Sequence, residues 1–410
     1  MIYKFLFNRT VCIFLFVILF GFLENTSFQA ISIQLNLIIK VFYFFLFFYF
    51  LIVEKYNNRF FSKTYLTILF LIPLFYIAVS MSLFNQSFLD GFKSSFIHYG
   101  FLTFIYLFYF FKKNKNLIFF EKLVFFCGWA FIILSSIIKI TFPDYEYTIQ
   151  SFDGSKEYLT STYKISSPII IWLGYVYLMK YKLRNFPSDL FKSIIFLIYP
   201  IIFFNARGYI VTLFCVLTFL FFKNLKLHRL VNLFLFLLFF FPFFYSLISS
   251  SEFFSQKFML IQEAFKVTFN YSNSSNDMSS NFRLIQFYDV IPFIRDNIFT
   301  GIGFLNDYSI YFDYLHPSDI GIIGIVFNFG LIGLFIFSYQ LIVLRKIIRL
   351  KYFNHNNSFL NGSIITLLHI CIGSLFTGFF VFNITVTFII FSVAIFFNSN
   401  KFNNDSYSIN

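Results

Sequence analysis

Arginine, aspartate, histidine and glycine gather in one long stretch of this chain, Ser280 to Gly333, which reads SNFRLIQFYDVIPFIRDNIFTGIGFLNDYSIYFDYLHPSDIGIIGIVFNFGLIG. Polar groups held beside a membrane are costly and mark function. His316-Pro-Ser-Asp319 stands directly ahead of an apolar run. A helix start there, with free N–H groups beside a His and an Asp, can hold an anion. It can also set a general base against a sugar hydroxyl. The same spacing suits a plain helix cap by Ser318 or Asp319, and the sequence leaves both open. Arg283 opens an amphipathic run capped by Ser280 or Asn281, at a helix end where the dipole disfavours a cation. Arg295, near the other end of that run, is where the dipole favours one. Arg207 lies between two apolar runs in NARGYI. Its guanidinium fork suits a lipid-linked pyrophosphate, with snorkelling to headgroup phosphate as the plainer alternative. Gly208 would let a ligand come close to the backbone. Gly301-Ile-Gly303 is a lone GxG and by itself a turn.

The rest of the chain explains why these residues stand out. Of 410 residues, 59% are hydrophobic, 25% aromatic and only 12% charged, where a soluble domain is about a quarter charged. Repeated apolar runs of about 20 residues, enough to cross a bilayer core, predict an all-α integral membrane protein. The net charge of +13 would suggest nucleic acid in a soluble chain. Here it follows from basic residues lining one membrane face, so no nucleic-acid partner is expected. Cys12, Cys127, Cys215 and Cys371 all fall in apolar segments without pairing or metal spacing, as small buried hydrophobes do. Walker, HExxH, GxSxG, DxD and paired CxxC motifs do not occur. That argues against an ATPase, a zinc protease or a nucleotide-sugar transferase, and neither metal nor cofactor is expected.

Hydropathy and helix length predict about twelve transmembrane helices, at roughly 8–23, 30–53, 65–84, 95–111, 117–140, 165–180, 191–205, 207–222, 230–250, 319–342, 361–377 and 379–398. The first, behind Lys4 and Arg9, lacks a small-residue cleavage site and is read as a retained helix. The connectors alternate in charge, with twenty basic residues on one side and eight on the other. The positive-inside rule then places both termini in the cytoplasm and the long connectors 141–164 and 251–318 outside. The chain 1–410 reads as a single membrane domain. Residues 193–222, broken only at Asn205-Ala-Arg-Gly208, predict two short helices meeting at a sharp turn.

The first outer loop, with Asp144, Glu146, Asp153 and Glu157, suits a solvated loop or a sugar-contacting lid. The large outer loop predicts an amphipathic helix over Glu252–Phe269 and a Ser/Asn-rich linker. A second helix follows over 282–297, with Leu284, Phe287, Ile291 and Ile294 on one stripe. Gly321, Gly324, Gly330 and Gly333 read as positions of close helix packing.

Taken in succession, these features resemble the O-antigen polymerase and ligase family of bacterial surface-polysaccharide assembly. The resemblance covers about 130 residues, Arg207 to Gly333. It rests on an Arg-Gly pair opening a span, a large outer loop with an Arg-started helix, Asn297-Ile-Phe-Thr-Gly-Ile-Gly303 (similar to the family's NPLxGxG), and the run FNFGLIG. Ligases of the family place a His eleven residues before the first Gly of the terminal G-x-x-G. Here that position is Asp319 and the nearest His is His316, which favours the polymerase branch. The resemblance implies an enzyme of the bacterial cytoplasmic membrane that joins repeat units carried on undecaprenyl pyrophosphate, for O-antigen, capsule or a related polysaccharide. Arg207 and Arg283 would stabilise the departing pyrophosphate, and Asp319 or His316 would orient or deprotonate the acceptor hydroxyl. Arg295, Gly301, Gly303 and Ser318 would line the substrate site. The bilayer, a chain-length regulator and a flippase are the further partners it implies. The competing readings are a ligase and, from another class, a flippase or transporter.

Overall fold

The computed structural model describes residues 8–19, 38, 41–42, 44–51, 60–111, 114–141, 147–149, 158–160, 168–204, 207–222, 278–305, 311–312, 315, 317–349, 357–377 and 384–399. Helix α1 spans Arg9–Leu19 and α2 spans Lys63–Phe84. The limits of α2 are set locally. Ser62 accepts a hydrogen bond from the Tyr65 N–H at 3.1 Å, and Asn85 takes a left-handed φ of 52°, the geometry of an N-cap and a helix stop. Next come α3 (Phe88–Ser95), a 3-10 segment (Phe96–Phe101) and α4 (Leu102–Phe110). The span expected at 95–111 is therefore a succession of short elements. The 3-10 segment brings Gly100 so close to Thr385 that a Cβ there would collide with it.

Helix α5 covers Asn114–Thr141. Strands β1 (Tyr147–Ile149) and β2 (Tyr158–Thr160) then pair antiparallel, Tyr147 opposite Thr160 and Ile149 opposite Tyr158. The connector 141–164 thus carries a small antiparallel pair, and the other described elements are helical. Its four acidic residues lie outside the described residues. Helices α6 (Pro168–Arg184), α7 (Pro187–Phe204) and α8 (Arg207–Phe222) follow, so the apolar run 193–222 is carried by two helices, one ending at Phe204 and the next starting at Arg207. The expected span 230–250 and the amphipathic helix 252–269 lie outside the described residues. The chain continues with α9 (Met278–Asp296), a 3-10 turn (Pro317–Ile320), α10 (Gly321–Arg349), α11 (Ser358–Thr377) and α12 (Ile384–Ser399). Among the described residues, four helices are long and apolar enough to cross a bilayer: Lys63–Phe84, Lys115–Ile137, Gly321–Arg349 and Ser358–Leu375. The chain is a helical membrane protein.

Helix α6 packs against α7 and α11 at the centre of the described structure. Small residues let the backbones approach, as is usual where lipid removes a hydrophobic drive for association. Ser193 donates to the Gly174 carbonyl at 2.9 Å, and Trp172 Nε1 donates to Ser363 Oγ at 2.9 Å. Helix α11 is the hub of one side, touching α6, α8, α10, α12 and the 3-10 turn.

Helix α10 is not continuous. Gly330 has φ 58° and ψ −166°, a conformation available essentially to glycine alone. Packing was the role expected of Gly330; breaking the helix is the role it has. A break inside an apolar span strands backbone groups that lipid cannot satisfy, at several kcal/mol each. Here the loop 297–303 supplies the missing partners. Ile302 N–H donates to Phe327 O and Gly303 N–H to Asn328 O, each at 2.9 Å. On the far side of the break, Leu331 N–H donates to Ile298 O at 2.9 Å and Ile332 N–H to Phe299 O at 3.1 Å. The remaining carbonyl, Phe329 O, accepts from the Tyr76 hydroxyl of α2. The two halves of α10 are thereby held by a loop and a neighbouring helix.

This arrangement predicts a sharp contrast between two glycines. Gly330→Ala places a side chain in a forbidden backbone conformation and drives its Cβ into the Phe299 carbonyl. It is expected to cost more than ~3 kcal/mol and to abolish the monodisperse detergent-solubilised protein. Gly373→Ala meets only ordinary contacts, with Thr212 atoms at 3.5 and 3.6 Å, and is expected to shift the thermal unfolding midpoint by no more than a few degrees.

Candidate functional site

The candidate residues sit on three elements. Of Arg207, Arg283, Ser318 and Asp319 the structure describes the backbone; their side chains, and all of His316, lie outside the described residues. Arg207 is the first residue of α8. Arg283 is in α9, and Ser318 and Asp319 are in the 3-10 turn. Helix α9 packs directly on that turn and on α10, while α11 is packed by both the turn and α8. Helix α11 therefore joins the element that starts with Arg207 to the one that carries Asp319.

Three expectations change on contact with the structure. Helix α9 begins at Met278, so Ser280 and Asn281 lie within its first turn and do not cap it. Arg283 then stands beyond the first turn, where the dipole has fallen away, and its oddity as a helix-opening cation disappears. The buried face of α9 also differs from the expected stripe. Gln286 and Val290 are buried; Phe287 and Ile294 of the expected stripe are half-buried, as is Phe293, whereas Ile291 is exposed and the Leu284 side chain lies outside the described residues. Val290 packs with Ile302, Leu305, Phe312, Leu315 and Phe327, so the contact with α10 and the loop selects this face. Thirdly, Ser318 and Asp319 are inside a 3-10 turn, and α10 starts after them at Gly321, whose φ is 59°. Neither residue stands where an N-cap of α10 would.

The remaining positions separate by environment. Arg295 is 82% exposed, with Asp296 beside it at 3.5 Å, and surface pairs of this kind contribute little. Gly301 and Gly303 are backbone-to-backbone contacts. A Cβ on Gly301 would strike Asn328 and Gly330, and one on Gly303 would strike the Tyr76 carbonyl. Gly301 fits against the break in α10 and Gly303 against α2. The crevice beside that break, lined by Tyr76, His98, Phe304 and Phe329, is too narrow to hold a water molecule. On its wall the His98 ring centroid lies 4.6 Å from that of Phe304 and 5.1 Å from that of Phe329.

Sequence reasoning passed over a second polar cluster. His369 of α11 is buried, and its Nδ1 shares a 2.8 Å hydrogen bond with the Tyr175 hydroxyl of α6. Tyr209 of α8 lays its ring 5.2 Å from His369 and donates its hydroxyl to Leu197 O of α7 at 2.9 Å. Tyr209 is two residues from Arg207, so this cluster fixes the first turn of the helix that Arg207 opens. The available signal was a histidine inside an apolar span, which by default asks for a partner. Among the described residues, no three His, Cys, Asp or Glu side chains gather as metal ligands would. No protein-family model matches the chain, and no curated protein matches it.

The cluster predicts a measurable coupling. His369→Leu leaves the Tyr175 hydroxyl without its partner and is expected to destabilise the protein by ~1–3 kcal/mol. Tyr175→Phe combined with His369→Leu should cost less than the sum of the two single changes. A double-mutant cycle on thermal or denaturant unfolding in detergent checks this, with a coupling of at least ~0.5 kcal/mol expected.

Proposed function

We propose that the protein is a membrane-embedded glycosyltransferase that polymerises oligosaccharide repeat units carried on undecaprenyl pyrophosphate. The observation that supports this reading is that the elements bearing these residues pack in a continuous series. The helix with Arg283 lies on the turn with Asp319, and α11 joins that turn to the helix opened by Arg207. In the reaction, a hydroxyl oxygen of the acceptor sugar bonds to the anomeric carbon of the donor chain. The bond from that carbon to the pyrophosphate oxygen breaks, and undecaprenyl pyrophosphate leaves. Asp319 or His316 takes the hydroxyl proton. Arg207 and Arg283 offset the charge that develops on the pyrophosphate. The carrier delivers an already activated sugar, so the reaction calls for no nucleotide. In this reading about twelve helices cross the bacterial cytoplasmic membrane, both termini are cytoplasmic, and the loops 141–164 and 251–318 face outward, where a flippase supplies the donor and a chain-length regulator acts with the enzyme. The product would be O-antigen, capsule or a related polysaccharide. A ligase stays the nearer alternative and is disfavoured by Asp319 at the position where ligases place a histidine.

One observation favours a transporter instead, because broken membrane helices frame substrate sites in many of them. The break at Gly330 differs in kind. The Phe327, Asn328 and Phe329 carbonyls and the Leu331 and Ile332 N–H groups are all engaged by protein. Each of these groups already has a protein partner, which is the role the break demands.

The test is the surface-polysaccharide ladder of a deletion strain, complemented with wild type, Arg207→Ala, Arg283→Ala, Asp319→Ala or Arg295→Ala. Deletion is expected to reduce the ladder to a single repeat unit on its acceptor. The first three variants should fail to restore it by at least tenfold in polymer, and Arg295→Ala should restore it fully. Loss of every repeat unit would point to a ligase or a flippase.

A further inference from the structure

Gln286 lies in α9 one turn after Arg283 and one turn before Val290, on the buried face of that helix. The residue is only 4% exposed, and among the described residues its Oε1 has no hydrogen-bond partner. A buried amide oxygen left unpaired costs ~1–3 kcal/mol, and such an atom in a folded protein calls for an explanation. Packing alone does not supply one. The neighbouring position on the same face is Val290, which joins an apolar cluster with Phe327 and Ile302, and a methionine at 286 would fill a glutamine's volume without the unpaired oxygen. The helix packs on the 3-10 turn of Ser318 and Asp319, so the unpaired acceptor lies on the element that meets the proposed base.

We infer that Gln286 is a substrate-binding residue whose carboxamide holds the acceptor sugar. Its Oε1 accepts a hydrogen bond from a sugar hydroxyl or acetamido N–H, and its amide group donates to a neighbouring ring oxygen substituent. A carboxamide offers donors and an acceptor side by side, which matches the alternating donors and acceptors of adjacent sugar hydroxyls. A polar site of this kind discriminates strongly, because a wrong sugar leaves the buried amide unpaired. The inference rests on the polymerase reading and adds to it the group that recognises the acceptor.

The experiment uses the full-length protein in lipid nanodiscs with undecaprenyl-pyrophosphate-linked repeat units isolated from the producing strain. It compares wild type, Gln286→Met and Gln286→Glu. The methionine variant is expected to lose at least tenfold in polymer formed at low repeat-unit concentration and to recover part of it at high concentration. Its thermal unfolding midpoint should be equal to or above that of wild type. The glutamate variant, which keeps an oxygen at the Oε1 position, should retain more activity than the methionine variant. A methionine variant with wild-type activity, or one whose loss accompanies a lowered midpoint, would overturn the assignment. Wild-type protein that forms no polymer from these units, together with a deletion strain whose ladder is unaltered, would instead overturn the polymerase reading itself.

Discussion

A helix broken inside an apolar segment must find partners for its backbone from within the protein, and much of the described architecture follows from how this chain meets that demand. At Gly330 the ladder of α10 stops and restarts. Four peptide groups there are bonded by residues 298–303 and one more by Tyr76. Since lipid offers no substitute, the loop after α9 cannot drift from the membrane body. A connector that would otherwise be a surface feature becomes part of the core.

That anchoring has consequences outward along the chain. The Gln86 amide donates to the Phe304 carbonyl, and the Tyr311 hydroxyl donates to the Phe84 carbonyl at 3.0 Å. The end of α2 is thus sewn to the same loop. With its C-terminal end fixed in this way, α9 lies against the 3-10 turn and α10 through Val290 and its apolar neighbours. The position of this helix is set by apolar contacts around Val290 and by backbone bonds beyond its C-terminal end, and Arg283 and Gln286 of the proposed site lie on the turns before that anchor. Rigid support of this sort is what a site needs if its groups are to act without reorganising.

The second polar cluster works by another route. Tyr175, Tyr209 and His369 come from three helices and meet by side-chain hydrogen bonding and ring contact. Buried polar groups of this kind are favourable only when paired, and pairing them fixes the rotation of α8 about its axis. Arg207 starts that helix. Two independent devices, backbone bonds at Gly330 and a tyrosine–histidine cluster at α11, therefore hold the elements on which the proposed site depends.

What the sequence determined by itself is the part governed by composition and local rules. Apolar runs of bilayer length specify helices, and the interruption at Asn205-Ala-Arg-Gly208 splits 193–222 into two. These follow from hydropathy and its interruptions, which act over a few residues. The clustering of Arg, Asp and His in 280–319 was equally legible, because charged residues are conspicuous in a chain this apolar. Tertiary structure decided what local rules do not reach. The face of α9 turned inward depends on Phe327 and Ile302, distant in sequence. The close fits of Gly301 against Asn328 and Gly330, and of Gly303 against Tyr76, are invisible until those residues come against them. The start of α9 at Met278 and the 3-10 turn at Ser318-Asp319 displaced caps that the sequence suggested, since a helix end is settled by what packs on it as well as by the residue best suited to cap it. Gly330 could be read as a packing residue from sequence alone. Only a loop arriving with the right hydrogen-bond partners makes a break there cost little.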